Sequence, residues 1–252
     1  MIEILILSFI QGFTEFLPVS SSSHLILISK FTNFQHQSLS IDISLHIGSF
    51  IAVVTYFYRD IFNFIKNKDL LFKIIVSSFP IMVIGFILLQ TNLIEAMRNI
   101  RVIGWTTLIF GVLLYLSDKF NYNRNIKNHF TLKFAIIIGI FQILSLIPGV
   151  SRSGITITAS RLLSFNRYDS AKISFLLSIP TLGAVSIFGI NDMISKNDIL
   201  FSALNLFSVI ISFLFSIITI KFFLKYIQKF SLNLFVAYRV LLGCCLLFFS
   251  YS

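Results

Sequence analysis

The chain is poor in charge and poorest in acid. Ten Asp and Glu stand against twenty Lys and Arg in 252 residues, and charged residues make up 12%. A soluble domain carries about 25%, so an ordinary water-soluble fold is excluded. Cysteine is scarce: Cys244 and Cys245 are neighbours inside one apolar run, which gives neither a disulfide framework nor metal-site spacing. The first residues lack the basic stretch of a cleaved signal peptide, and Glu3 stands where Lys or Arg would be expected. The apolar segments also lack the alternation of a transmembrane β-barrel.

What the chain does have is hydrophobic residues, at 56%, with a mean hydropathy of +0.91. Runs near the length needed to cross a bilayer recur, and they predict full spans at about 42–58, 70–89, 101–117, 171–190, 199–220 and 232–251. Two further regions, at about 2–28 and 134–163, begin apolar and then break at a proline followed by serines. The expectation is an all-α polytopic membrane protein forming a single integral membrane domain over 1–252.

The basic residues orient it. Loops at 59–69, 118–133, 161–172 and 221–231 share one side. With Lys73 close by, they hold fourteen of the twenty Lys and Arg: Arg59, Lys66, Lys68, Lys73, Lys119, Arg124, Lys127, Lys133, Arg161, Arg167, Lys172, Lys221, Lys225 and Lys229. Lys30, Arg98, Arg101 and Lys196 lie on the other. Positive charge accumulates on the cytoplasmic side, so both termini are expected to face outward. The net charge of +10 then orients the chain in the membrane and calls for no nucleic-acid partner.

The two irregular regions resemble each other. Gln11 … Pro18-Val19-Ser20-Ser21-Ser22-Ser23 aligns with Gln142 … Pro148-Gly149-Val150-Ser151-Arg152-Ser153-Gly154, and Gln precedes Pro by seven and six residues. Three spans separate them, so they enter the bilayer from opposite faces. That is an inverted-topology repeat, with halves at about 1–117 and 118–252 and two re-entrant helix–loop–helix pairs meeting near the midplane.

These tips carry the chemistry. Of the ten acids, Asp60, Asp69, Glu95, Asp118, Asp169, Asp192 and Asp198 are expected in loops, Asp42 at a span end and Glu3 near the terminus. Glu15 remains alone at membrane depth, where a carboxylate is costly and points to function. Gln11 lies four residues earlier, on the same helix face. The serines after Pro18 offer hydroxyls and free N–H groups, and His24 can move a proton near neutral pH. At the second tip, Arg152 stands between Ser151 and Ser153, ahead of a helix expected to start near Ile155. A serine-rich turn at a helix N-terminus makes an anion nest, and Arg adds a fork that matches phosphate. Together the tips suggest phosphoryl chemistry on a lipid phosphate. His46 is read as a structural residue and Tyr238 as packing. Arg239 either pairs with an acid or lines the cavity.

"QGFTEFLPVSSSSHL" and "GIFQILSLIPGVSRSG" resemble the two signatures of the undecaprenyl-diphosphate phosphatase family, also known as the bacitracin-resistance membrane phosphatases. "SFLLSIPTLGA" and "YRVLLG" extend the likeness over nearly the whole chain. The resemblance implies an enzyme of the bacterial cytoplasmic (inner) membrane. It would remove the terminal phosphate of a C55 polyprenyl diphosphate, giving the monophosphate carrier lipid for peptidoglycan and other envelope polymers. It also implies a divalent cation, Mg²⁺ or Ca²⁺, and a site open to the outer leaflet. Glu15 matches the second glutamate of an (E/Q)xxxE element, Ser21 a candidate nucleophile and His24 the family's histidine. Ser151 and Arg152 match the phosphate-site pair, with Ser20, Ser22 and Ser153 at neighbouring motif positions.

The chain also departs from the pattern. Gln11 stands where many members have Glu, so Glu15 and substrate oxygens would carry more of any metal. Ser23 replaces a Gly that would permit φ > 0. Lys172 stands where Glu is common. Ser21, His24 and water all remain open as the attacking group. The rival expectation is a transporter that flips the polyprenyl phosphate. Oligomeric state, a homodimer included, is not legible.

Overall fold

The computed structural model describes all residues except 33, 35–37, 67, 92, 94–96, 120–122, 196–202 and 252. Among the described residues the chain is helical, apart from an isolated bridge between Arg124 and Phe165. Six helices are long and apolar enough to span a membrane. They are α3 (Leu39–Tyr56), α5 (Lys68–Leu89), α6 (Ile100–Asp118), α10 (Arg167–Ser195), α11 (Ala203–Ile227) and α12 (Asn233–Tyr251). The two irregular regions are helix–turn–helix pairs. The first is α1 (Ile2–Thr14) and α2 (Ser21–Phe31). The second is α8 (Leu132–Ile143), a 3₁₀ turn at Leu144–Leu146, and α9 (Arg152–Leu162).

Several boundaries differ from expectation. The 59–69 region is not a loop: α4 (Tyr58–Lys66) fills most of it, because Tyr58, Ile61, Phe62 and Ile65 alternate with polar residues at helical spacing. A short helix, α7 (Ile126–His129), lies inside 118–133. The fifth span runs to Ile227 rather than 220, since the buried Phe223, Leu224 and Ile227 continue its apolar face beyond Lys221. The fourth starts at Arg167, not 171. Asp60, Asp69, Asp118, Asp169 and Asp192 accordingly lie in helices, near their ends, rather than in loops. Glu95, Lys196, Asp198 and residues 199–202 of the expected fifth span lie outside the described residues.

Packing follows small residues. α3 and α11 meet where Gly48 faces Ser212, whose Oγ donates to Leu45 O at 2.7 Å. α1 packs on α11 through Gly12, where a Cβ would lie 2.7 Å from that of Phe215. Membrane helices use such residues to approach closely. α8 packs on α5 in the same way, with Gly139 against the Ser77 backbone. α3 also packs on α10, and α6 on α12.

A phenylalanine core anchors the first turn. Phe16 is fully buried and meets the Phe175 ring edge-on at 5.3 Å. Phe175 in turn touches Phe57 and Phe223. At one end of the bundle Asp118 ties four helix ends together. Its Oδ1 takes Arg161 Nε at 3.2 Å and Arg167 Nε at 2.7 Å, and its Oδ2 accepts from Leu232 N at 3.0 Å.

Candidate active site

The two turns meet through backbone and side chain. Each reverses the chain at a serine with positive φ: Ser20 at +75° and Ser151 at +71°. Val19-Ser20 and Val150-Ser151 are equivalent in the sequence repeat, so both copies place the same residue in the same unusual conformation. The left-handed residue in the first turn is thus Ser20, not Ser23, which is helical and buried. The second helix opens at Arg152, three residues earlier than expected. Ser151 caps it by accepting from Gly154 N at 3.1 Å. Ser153 Oγ crosses between the turns and donates to Leu17 O at 2.6 Å.

Glu15 is the hub. Only 7% of it is exposed. Its Oε1 accepts from Arg152 Nη2 at 3.0 Å. Its Oε2 accepts from Ser21 Oγ at 2.6 Å and Gln11 Nε2 at 3.0 Å. A carboxylate from one turn, a guanidinium from the other and a hydroxyl therefore form one chain of contacts. Arg152 is further held by Ser174 O on α10, at 3.4 Å.

A cavity of about 200 Å³ opens beside this chain. Glu15, Ser20, Ser21, Ser22, Ser151 and Arg152 line it from the turns, with Ser145 from the 3₁₀ turn. His46, Thr181, Ile81, Leu182 and Val185 line it from the spans. Of the residues expected to form the site, Gln11, His24 and Ser153 lie outside this lining. Gln11 stands behind Glu15, and Ser153 bonds across the turns.

The two histidines exchange the positions the sequence suggests. His24 Nδ1 lies 2.6 Å from Ser20 O and so carries the proton, because a carbonyl can only accept. Its Nε2 then accepts from the Tyr238 hydroxyl at 2.5 Å. Tyr238, read as packing, is a hydrogen-bond partner. His46, read as structural, faces the cavity. Its Nδ1 lies 2.9 Å from Gln11 Nε2 and 3.9 Å from Glu15 Oε2. A lone histidine inside an apolar run gives no sequence sign of this.

Arg239 neither pairs with an acid nor lines the cavity. It is fully buried and, among the described residues, donates only to main-chain carbonyls: Thr107 at 3.2 Å, Pro18 at 3.2 Å, Val150 at 3.1 Å and Gly149 at 2.9 Å. It thereby clamps both turns to α6 and α12. Glycine makes room for it, since a Cβ at Gly154 would lie 2.8 Å from its Nη1. Carbonyl acceptors have no side-chain signature, so "YRVLLG" could not reveal this role.

The donor set can be tested against a divalent cation. Hard cations take oxygen ligands. Glu15 supplies a carboxylate, and the buried Oε1 of Gln11 makes no hydrogen bond among the described residues. Among the described residues there is no cluster of three or more His, Cys, Asp or Glu. The residues fit a cation that completes its shell with oxygens from outside the protein, not one caged by these side chains alone.

Fold and site thus define an all-helical multi-pass membrane protein with a buried carboxylate–guanidinium pair and hydroxyls around one cavity. The chain belongs to the family described as Bacitracin resistance protein BacA, which it matches over residues 4–245. It is 48% identical to the undecaprenyl-diphosphatase of Pelagibacter ubique, covering all of this chain and 98% of that one. The undecaprenyl-diphosphatase of Hahella chejuensis is 41% identical over 99% of this chain and 98% of its own. That of Roseobacter denitrificans is 38% identical with the same coverage.

Proposed function

We infer that this chain is an undecaprenyl-diphosphatase: it hydrolyses the terminal phosphate of a C55 polyprenyl diphosphate and leaves the monophosphate carrier lipid for cell-wall synthesis. Family membership and full-length likeness to proteins of that name support this. Those relatives carry a hydrolase's name, not a transporter's. The observation that carries the mechanism is the chain Ser21 Oγ–Glu15–Arg152, built from both turns.

Arg152 turns its fork from Glu15 to the terminal phosphate, joined by the Ser151 hydroxyl and by hydroxyls of Ser20 and Ser22. Ser21 Oγ attacks phosphorus. Its proton passes to Glu15 Oε2, the Ser21 O–P bond forms, and the bridging P–O bond breaks to release polyprenyl monophosphate. Glu15 passes that proton to the departing polyprenyl phosphate oxygen and is again a carboxylate; it then takes a proton from the water that attacks the phosphoserine and returns it to Ser21 Oγ as the Ser21 O–P bond breaks and inorganic phosphate leaves. His24, bonded to Ser20 O, holds the first turn in shape and couples it to Tyr238. When bound, a divalent cation such as Mg²⁺ or Ca²⁺ would neutralise charge on the phosphate oxygens. Glu15 would hold it, with Gln11 joining through Oε1.

The two helix–turn–helix pairs are re-entrant and related by an inverted repeat. Matched packing supports this: α1 rests on α11 as α8 rests on α5, while α3 meets α10 and α6 meets α12. So do the matched positive-φ serines. The basic ends face the cytoplasm, both termini face outward, and the cavity opens to the outer leaflet of the bacterial inner membrane.

Purified protein in detergent tests the assignment. Wild type should release inorganic phosphate from a long-chain prenyl diphosphate and lose that activity on chelation. Arg152→Lys should be about 100-fold slower, because a point charge cannot replace the fork. Near-normal release by the lysine variant would overturn the role of Arg152.

A further inference from the structure

The cavity is two-faced, and its apolar wall comes from two helices alone. Ile81 of α5 and Leu182 and Val185 of α10 face the hydroxyls and charges of the turns. Ile81 and Leu182 are buried, whereas Val185 both lines the cavity and is 45% exposed. In a membrane span, an exposed apolar side chain faces lipid. Val185 therefore stands where the cavity communicates with the bilayer core.

The helices on either side suit an opening. Pro80 sits one residue before Ile81, and Pro180 two before Leu182. Each removes a helical hydrogen bond, where helices bend most readily. Along α10, Ser174, Thr181, Val185 and Phe188 recur at helical spacing on one face. The first touches Arg152 and the next two line the cavity. The last meets the Phe86 ring of α5 at 5.8 Å, and both rings are about half exposed. At 1.5 Å per residue, this stripe runs about 21 Å from the phosphate clamp to the lipid-facing rings.

We propose that the gap between α5 and α10 is the tail portal. The first isoprene units of the substrate lie on Ile81, Leu182 and Val185, and the rest of the prenyl chain leaves into the bilayer past Phe86 and Phe188. This rests on the diphosphatase reading, since a tail joined to a diphosphate held by Arg152 must leave through the cavity's apolar side. The occupant is the substrate's own tail, not a bulk lipid chain.

Two experiments test it. Val185→Trp narrows the portal, while Ile187→Trp adds the same bulk at a lipid-facing position, 69% exposed and outside the cavity lining. The first should raise KM for the C55 diphosphate by about tenfold or more and leave kcat within about threefold. The second should leave both near wild type. Equal effects of the two would overturn the portal. The other experiment needs neither turnover nor a folded variant: wild type is photolabelled with a prenyl diphosphate carrying a diazirine on its first isoprene. Label should fall on α5 and α10, displaced by unlabelled prenyl diphosphate but not by added phospholipid. Label on α11 or α12, or displacement by phospholipid, would contradict the proposal. If wild type is labelled as expected but releases no phosphate, the hydrolytic reading has failed and the portal stands.

Discussion

Arg239 shows what a single residue can do without a charged partner. A buried cation normally pairs with an acid. This one instead spends its donors on four carbonyls, two of them at consecutive residues of the second turn and one at Pro18 of the first. Arg239→Lys keeps the charge but cannot reach four acceptors in one plane. We expect it to lower kcat/KM at least about tenfold, and the melting temperature in detergent should fall as well. Arg239→Leu, which leaves the carbonyls unpaired, should be worse on both measures. Full activity with unchanged melting in the lysine variant would show that the clamp is dispensable. His46 predicts a contrast of another kind. His46→Gln retains a side chain able to meet Gln11, whereas His46→Ala leaves Glu15 with one oriented neighbour fewer. The glutamine variant should keep more activity than the alanine variant in parallel phosphate-release assays.

At the scale of elements, Lys172 ceases to be an oddity. Its Nζ meets Asp60 Oδ1 of α4 at 2.7 Å, so this lysine has an acid across the interface. Both are partly exposed, and such pairs contribute at most about 1 kcal/mol. Lys172→Glu should destabilise modestly by placing like charges together, and Asp60→Lys in the same chain should restore stability in a double-mutant cycle. A purely additive cycle would show that the pair is idle. Gly12 sets a harder constraint, because its Cβ would meet the Phe215 Cβ and the Ser212 carbonyl. Gly12→Leu should force α1 off α11 and cost about 1–3 kcal/mol, read from unfolding in detergent.

The sequence exposed some of these elements and hid others. Six spans were visible because continuous apolar runs have one stable solution in lipid. α4 was not, because an amphipathic helix resembles a charged loop in composition. The far end of α11 was hidden by Lys221 and Lys225, which interrupt the apolar run although Phe223, Leu224 and Ile227 beyond Lys221 are buried. In the site, Glu15 and Arg152 declared themselves through the cost of charge at depth. The likeness of the two proline–serine motifs suggested that they meet, and Glu15 and Arg152 are 3.0 Å apart. The cavity-facing turn of His46, the Tyr238–His24 contact and the carbonyl clamp of Arg239 depend on partners up to hundreds of residues away, which no local spacing encodes.

At the scale of the molecule, two helix–turn–helix pairs and six spans form one body around one cavity. If the basic ends face the cytoplasm, single cysteines introduced in a background lacking Cys244 and Cys245 should label by side. A cysteine at Lys30 should react with an impermeant reagent in intact cells, and one at Lys127 only after lysis. The opposite pattern would invert the topology and turn the cavity to the inner leaflet.

The central claim is that Ser21, activated by Glu15 and opposed by Arg152 from the other turn, makes this chain a hydrolase. Its most direct test is phosphate release from C55 polyprenyl diphosphate by purified wild type, Glu15→Gln and Ser21→Ala, measured side by side with divalent cation present. The account predicts robust release by wild type and losses of about 100-fold or more in both variants. Wild-type rates in Ser21→Ala would remove Ser21 as the nucleophile, and no release by wild type would contradict the hydrolytic function itself.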